Sequence, residues 1–171
     1  MNDARIELCP YDPAWPALFV AEQTLLASVL APWLAGSMAH IGSTAVPGLA
    51  AKPVIDIMAP VVSLAASRDA IAAAGLAGYV HFPYQPDVMH WFCKPSPAHR
   101  THHLHLVPAD SPLWFDRLAF RDALRRSPAL AQAYAALKAR LADAFADDRE
   151  AYTQGKTAFV RQVLSGAAGG G

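Results

Sequence analysis

The chain has 171 residues, 54% hydrophobic and 16% charged, and its 14 basic and 14 acidic side chains give a formal net charge of zero. That length and apolar content support one folded domain with a full core and exclude a disordered chain. The balanced charge disfavours bulk nucleic-acid binding, which draws on a basic excess, and two cysteines (Cys9 and Cys93) without metal-like spacing fit a reducing compartment.

Residues 1–5 are polar and lead to no signal-type apolar segment, and each long apolar stretch is broken by Pro, Gly or Lys. A cytoplasmic protein without a membrane span is expected. Asp12-Pro13 reads as an N-cap followed by Pro at the first helical position. Trp15, Leu18, Phe19, Leu26, Val29 and Leu30 then recur near the helical period, which predicts an amphipathic helix to about Leu30. Residues 38–41 read as a short strand, 42–52 as a loop punctuated by Pro47 and Gly48, and 54–62 as a buried strand. Ser63 or Ser67 caps a helix that stops near Gly75. Strands are predicted over 78–82, 88–94 and 102–107, joined by hairpin-length connections. The remainder is helical. One helix runs from Pro112 to Arg126, a second from Pro128 with Leu130, Tyr134, Leu137 and Leu141 on its core face, and a third over 153–164. Residues 1–165 read as a single domain and 166–171 as a flexible tail. The pattern is α+β: a small mixed sheet packed with helices and a C-terminal helical region.

Asp56 stands in the apolar run Pro53-Val54-Ile55-Asp56-Ile57-Met58-Ala59, and a carboxylate in a buried-looking strand calls for a partner, a hydrogen bond or a metal. Gly42-Ser43 precedes it by twelve intervening residues. A Gly-Ser turn offers backbone N–H groups suited to a phosphate. The whole segment His40-Ile41-Gly42-Ser43-Thr44-Ala45-Val46-Pro47-Gly48-Leu49-Ala50-Ala51-Lys52-Pro53-Val54-Ile55-Asp56-Ile57 resembles the GrpB family, within the nucleotidyltransferase superfamily. Tyr11 with Trp15-Pro16, His103-Leu104-His105-Leu106, Phe120-Arg121-Asp122, Pro128, Tyr134, and Tyr152-Thr153 with Lys156 extend the resemblance over nearly the whole chain. It implies a nucleotidyltransferase-like core with Asp56 as catalytic and metal-binding carboxylate, and with Gly42 and Ser43 against the phosphates of a nucleotide.

One position departs from the superfamily pattern. A second metal-binding carboxylate is expected two residues after Asp56, on the same strand face, and Met58 stands there. A thioether is a poor ligand for Mg²⁺. His103 and His105, two apart on a strand, share a face and can complete a divalent-metal set with Asp56 if their strand lies nearby. The plain alternative is that both line a polar cleft. Lys52 and Lys156 are candidates to neutralise phosphate charge; otherwise they are solvated or lie along apolar surface. His40 is expected to orient the loop. Arg117, Arg121 and Arg125 share a helix face, and Arg121, which matches the family, is the phosphate candidate among them. The expected function is a nucleotide- or phosphate-binding cleft, as in a metal-dependent nucleotidyltransferase. The alternatives are a non-catalytic accessory module that has lost the carboxylate pair, and a metal-dependent phosphoester hydrolase. The expected partner is a small-molecule nucleotide or phosphate ligand, and the oligomeric state stays open.

Overall fold

The computed structural model describes residues 5–168. Helix α1 (Trp15–Leu30) begins just after Pro13, with the Asp12 carboxylate accepting from the Ala14 amide at 2.8 Å, and delivers the chain to strand β1 (Ala39–Ile41). Ser43–Ala45 forms a single 3₁₀ turn. Strand β2 (Ile55–Val61), helix α2 (Ala70–Leu76) and strands β3 (Val80–Phe82), β4 (His90–Pro95) and β5 (Arg100–Pro108) follow. They make one mixed sheet in the order β1-β2-β5-β4-β3, in which only the β2–β5 pairing is parallel. Strand β2, paired on both edges and covered on both faces, is buried almost throughout, as its apolar run requires.

Alternation along β2 sorts its side chains between two cores. Ile55, Ile57, Ala59 and Val61 pack with Leu26 and Leu30 of α1 and with Ala70 and Ala74 of α2. Met58 looks the other way, into a cluster with Ile41, Trp91, Cys93 and Val107 that Leu113, Trp114 and Leu118 of helix α3 (Pro112–Arg126) close. A third cluster joins Val46 and Leu49, in the loop after β1, to Leu124 of α3 and Tyr134 of helix α4 (Pro128–Ala144). Ser111 and Ser127 cap α3 and α4, accepting from the amides of Trp114 and Leu130.

The third C-terminal helix expected from the pattern is two: α5 (Arg149–Gln154) and α6 (Thr157–Ala168). They part at Gly155, where a β-carbon would lie 2.5 Å from Leu141 Cδ2 of α4, so glycine permits the close approach. Helix α6 also runs past Leu164 into the segment expected as a flexible tail, of which residues 169–171 lie outside the described residues. Among the described residues no helix is long and apolar enough to cross a membrane.

Candidate functional site

Strand register builds the site. Asp56 on β2 has Ile41 of β1 as its partner on one side and His103 of β5 on the other, while His105 pairs with Met58. Directly opposed residues share a sheet face, so Asp56, His103 and His105 point together. His103 Nδ1 lies 2.9 Å from Asp56 Oδ1 and His105 Nε2 lies 3.6 Å from the same oxygen. One ligand atom from each of the three residues falls within 4.8 Å of the others. The Nε2 atoms of both histidines are buried and have no hydrogen-bond partner. On the far side, His105 Nδ1 is 3.4 Å from Met89 Sδ, and the Trp91 ring lies 5.0 Å from that of His103.

Because Ile41 ends β1 opposite Asp56, the next residue, Gly42, stands against the carboxylate. Its φ is +73°, and a β-carbon there would lie 2.5 Å from Asp56 Oδ2. Both facts require glycine. Ser43 enters the 3₁₀ turn beside it, half-buried, and is close enough to Tyr134 of α4 to act on its hydroxyl. The turn is held from below: His40 Nε2 meets Thr44 Oγ1 at 2.9 Å, the Thr44 hydroxyl donates to Val54 O, and the His40 ring stacks on Phe19.

Electrostatics follow burial and partners. Burial opposes ionisation of Asp56, yet the hydrogen bond from His103 and the adjacent His105 imidazole hold its pKa well below the usual carboxylate range. Burial pushes His105 down to about 4, partly offset by Asp56, and pushes His40 down to about 4 as well. These shifts favour an anionic Asp56 beside a neutral His105, the protonation states a metal-ligand set requires of those two residues. Two imidazoles and one carboxylate suit Zn²⁺, Mn²⁺ or Fe²⁺ better than Mg²⁺. Met58 is fully buried among Ile41, Trp91 and the α3 side chains. His105, its cross-strand neighbour, presents a donor where β2 itself has none.

The basic candidates divide. Arg121 donates through Nη1 to His40 O at 3.1 Å and through Nε to Asp122 Oδ1 at 2.8 Å, and Arg125 donates through Nε to Ala45 O at 2.8 Å. Those two guanidiniums clamp the backbone around the Gly42 turn. Arg117, one helical turn earlier, is the member of the stripe whose charge acts on Asp56, with burial drawing its own pKa down. Lys52 and Lys156 both stand over the buried Tyr152 ring, their Nζ atoms 5.3 Å and 4.4 Å from its centroid. Burial and then Lys52 push Lys156 down to about 8.

Three participants are not evident from pattern alone. Arg117 carries no motif that sets it apart from Arg121. Tyr134 reads as a core residue, and it is one, but its hydroxyl also feels Ser43 of the turn. Lys138 lies one turn beyond Tyr134 on the same buried face of α4; a lysine four residues after an apolar-stripe position is the signal that could have singled it out.

A family model described as GrpB protein matches residues 5–165. A UPF0157 protein of Pseudomonas aeruginosa is 43% identical, the alignment covering 97% of this chain and 69% of that protein. A UPF0157 protein of Deinococcus radiodurans is 46% identical over 75% of this chain and 66% of its own length. The glutamate-rich protein GrpB of Alkalihalophilus pseudofirmus is 31% identical over 96% of this chain and 97% of its own length. The crystal structure of conserved protein GrpB from Enterococcus faecalis superposes with a TM-score of 0.84 at 33% identity, covering 94% of this chain and 96% of that one.

Proposed function

The chain belongs to the GrpB family, and from that premise we propose that it binds a divalent metal and the phosphates of a nucleotide in one cleft, as a metal-dependent nucleotidyltransferase does. The observation that carries the reading is the cluster of Asp56, His103 and His105, whose donor atoms lie within 4.8 Å of one another while both Nε2 atoms are buried without a partner. Unpartnered imidazole nitrogens beside an ionised carboxylate suit a metal ion better than a solvated cleft.

Asp56, His103 and His105 hold the metal, which when bound supplies Lewis-acid polarisation of a phosphoryl oxygen. Asp56 stays ionised through its imidazole neighbours. Gly42 and Ser43 present the turn to the phosphates, with Gly42 lacking the side chain that would collide with Asp56. Arg121 holds that turn through His40 O and so positions it for the phosphates. Lys52, Lys156 and Arg117 offset phosphate charge.

Metal analysis of the purified protein and calorimetric titration with Zn²⁺, Mn²⁺ and Mg²⁺ test the reading. Tight binding of a transition metal, lost in Asp56→Asn and in His105→Ala with the fold intact by circular dichroism, is the expected result. Equal metal binding by wild type and both variants refutes it. Product analysis with nucleoside triphosphates and the bound metal then separates nucleotidyl transfer from phosphoester hydrolysis. Met58 favours a second reading, a non-catalytic binding module: nucleotide and metal bind, and no turnover follows.

A further inference from the structure

Lys138 is out of place on elementary grounds. It is 2% exposed on the inner face of α4, donates to the Ala50 carbonyl oxygen, and lies 5.1 Å from the centroid of the Tyr134 ring. A buried ammonium calls for a carboxylate. The side-chain charges that act on Lys138 are instead both positive, those of Lys156 and Lys52. These two share the Tyr152 ring as a platform, and that ring is itself 1% exposed. Three of the chain's four lysines thus converge from the loop before β2, from α4 and from the α5–α6 junction. Lys156 also feels Asp56, with Arg117 opposing. Setting the charges of Lys138 and Lys156 together around two buried aromatic rings costs Coulomb energy and desolvation.

We infer that Lys52, Lys138 and Lys156 form an anion subsite on the Tyr134–Tyr152 floor, beside the Asp56 cluster, for a linear chain of two or more phosphoryl groups such as a nucleoside polyphosphate carries. Lysine binds phosphate as a point charge, and ammonium groups arriving from separate segments suit the extended charge of a di- or triphosphate better than the single centre of orthophosphate. Ser43, next to Gly42 in the turn, acts on the Tyr134 hydroxyl, so a phosphate chain can run from the lysines to Asp56. The inference rests on the reading of the cleft as a phosphate site; it does not rest on the metal.

The subsite has a proton signature. The groups facing Lys138 are Tyr134 on its own helix, Lys52 and Ala50 O from the loop before β2, and Lys156 from the α5–α6 junction. Burial, then Lys156 and Lys52, push Lys138 down to about 7, so at pH 8 it is largely neutral in the empty protein. A polyanion restores its charge, and binding takes up a proton.

Calorimetry on the full chain, stripped of metal on a chelating resin, compares inorganic tripolyphosphate, orthophosphate and sulfate at pH 8 in two buffers of different ionisation enthalpy. The expected result is tripolyphosphate binding at least about tenfold tighter than orthophosphate, with uptake of about one proton. Lys138→Met and Lys156→Gln should each weaken it by about tenfold or more. Tripolyphosphate binding no tighter than sulfate, or unchanged by Lys156→Gln and by a folded Lys138→Met, overturns the inference. If tripolyphosphate binds as expected and no metal does, the subsite stands and the metal reading falls; if metal binds and tripolyphosphate does not, the subsite alone falls. Adenosine triphosphate binding as tightly as tripolyphosphate, or more tightly, supports the class in either case, and the difference reports whether the nucleoside is also contacted.

Discussion

Replacing Lys138 by methionine should stabilise the free protein. Folding draws this lysine's pKa from 10.5 to about 7, burial being the main cause, with Lys156 and Lys52 adding to it. The sign follows from proton counts. Between pH 7 and pH 10.5 the unfolded chain holds a proton that the folded chain has given up, so stability rises with pH in that window. The penalty is fully present below the folded pKa and relieved towards the unfolded one. At neutral pH it amounts to about 4 kcal/mol. Methionine removes this cost, keeps most of the volume, and forfeits the hydrogen bond to Ala50 O, worth about 2 kcal/mol when its acceptor stays buried. The net gain is about 2 kcal/mol at pH 7, or about 6 °C in Tm for a chain of this length. At pH 10 little of the charge penalty remains and the lost hydrogen bond dominates, so the order should reverse by about 1 kcal/mol. Urea denaturation of both proteins at pH 7 and pH 10 measures it. A wild type more stable at pH 7, or a difference that does not change with pH, refutes the assignment of a buried cation without a carboxylate.

Two further outcomes bear on the Asp56 side of the cleft. Gly42→Ala should lose metal and nucleotide binding together, because the new methyl group meets Asp56 Oδ2 and the backbone holds φ +73°; the conformational part alone costs about 1–2 kcal/mol, read by thermal denaturation beside the titrations. Stable Gly42→Ala protein with wild-type metal affinity counts against the close approach. Met58→Asp should not restore a two-carboxylate site. Position 58 is fully buried beneath Ile41 and α3, and an unpaired carboxylate there should destabilise the fold by about 3 kcal/mol or more. A Met58→Asp variant of undiminished stability that binds Mg²⁺ tightly would contradict the packing.

Much of the architecture is legible because it rests on local rules. Ser-Pro pairs start α3 and α4 where caps and a fixed φ are favoured, and β2 shows as an unbroken apolar run since both of its faces are covered. The split between α5 and α6 is hidden. Gly155 is required there by Leu141 of α4, a neighbour distant in sequence, and helical periodicity does not report such contacts. The roles of the arginines are hidden for the same reason. Spacing puts Arg117, Arg121 and Arg125 on one face, whereas the backbone carbonyls of His40 and Ala45, which engage two of them, belong to a different segment.

The sequence by itself determined the family, through a motif long enough to be specific, together with the positions of Gly42, Asp56 and Met58 and the shared face of His103 and His105. It did so because strand alternation and turn chemistry are encoded within a few neighbouring residues. Only the tertiary structure decided that β5 pairs with β2 in a register setting His103 opposite Asp56, and that three lysines from separate segments meet over Tyr134 and Tyr152. Strand order and helix docking are set by burial of the two apolar faces of the sheet, a long-range condition satisfied by the whole chain at once. The charged groups are carried to their meeting place by that packing, and no local pattern records where they arrive.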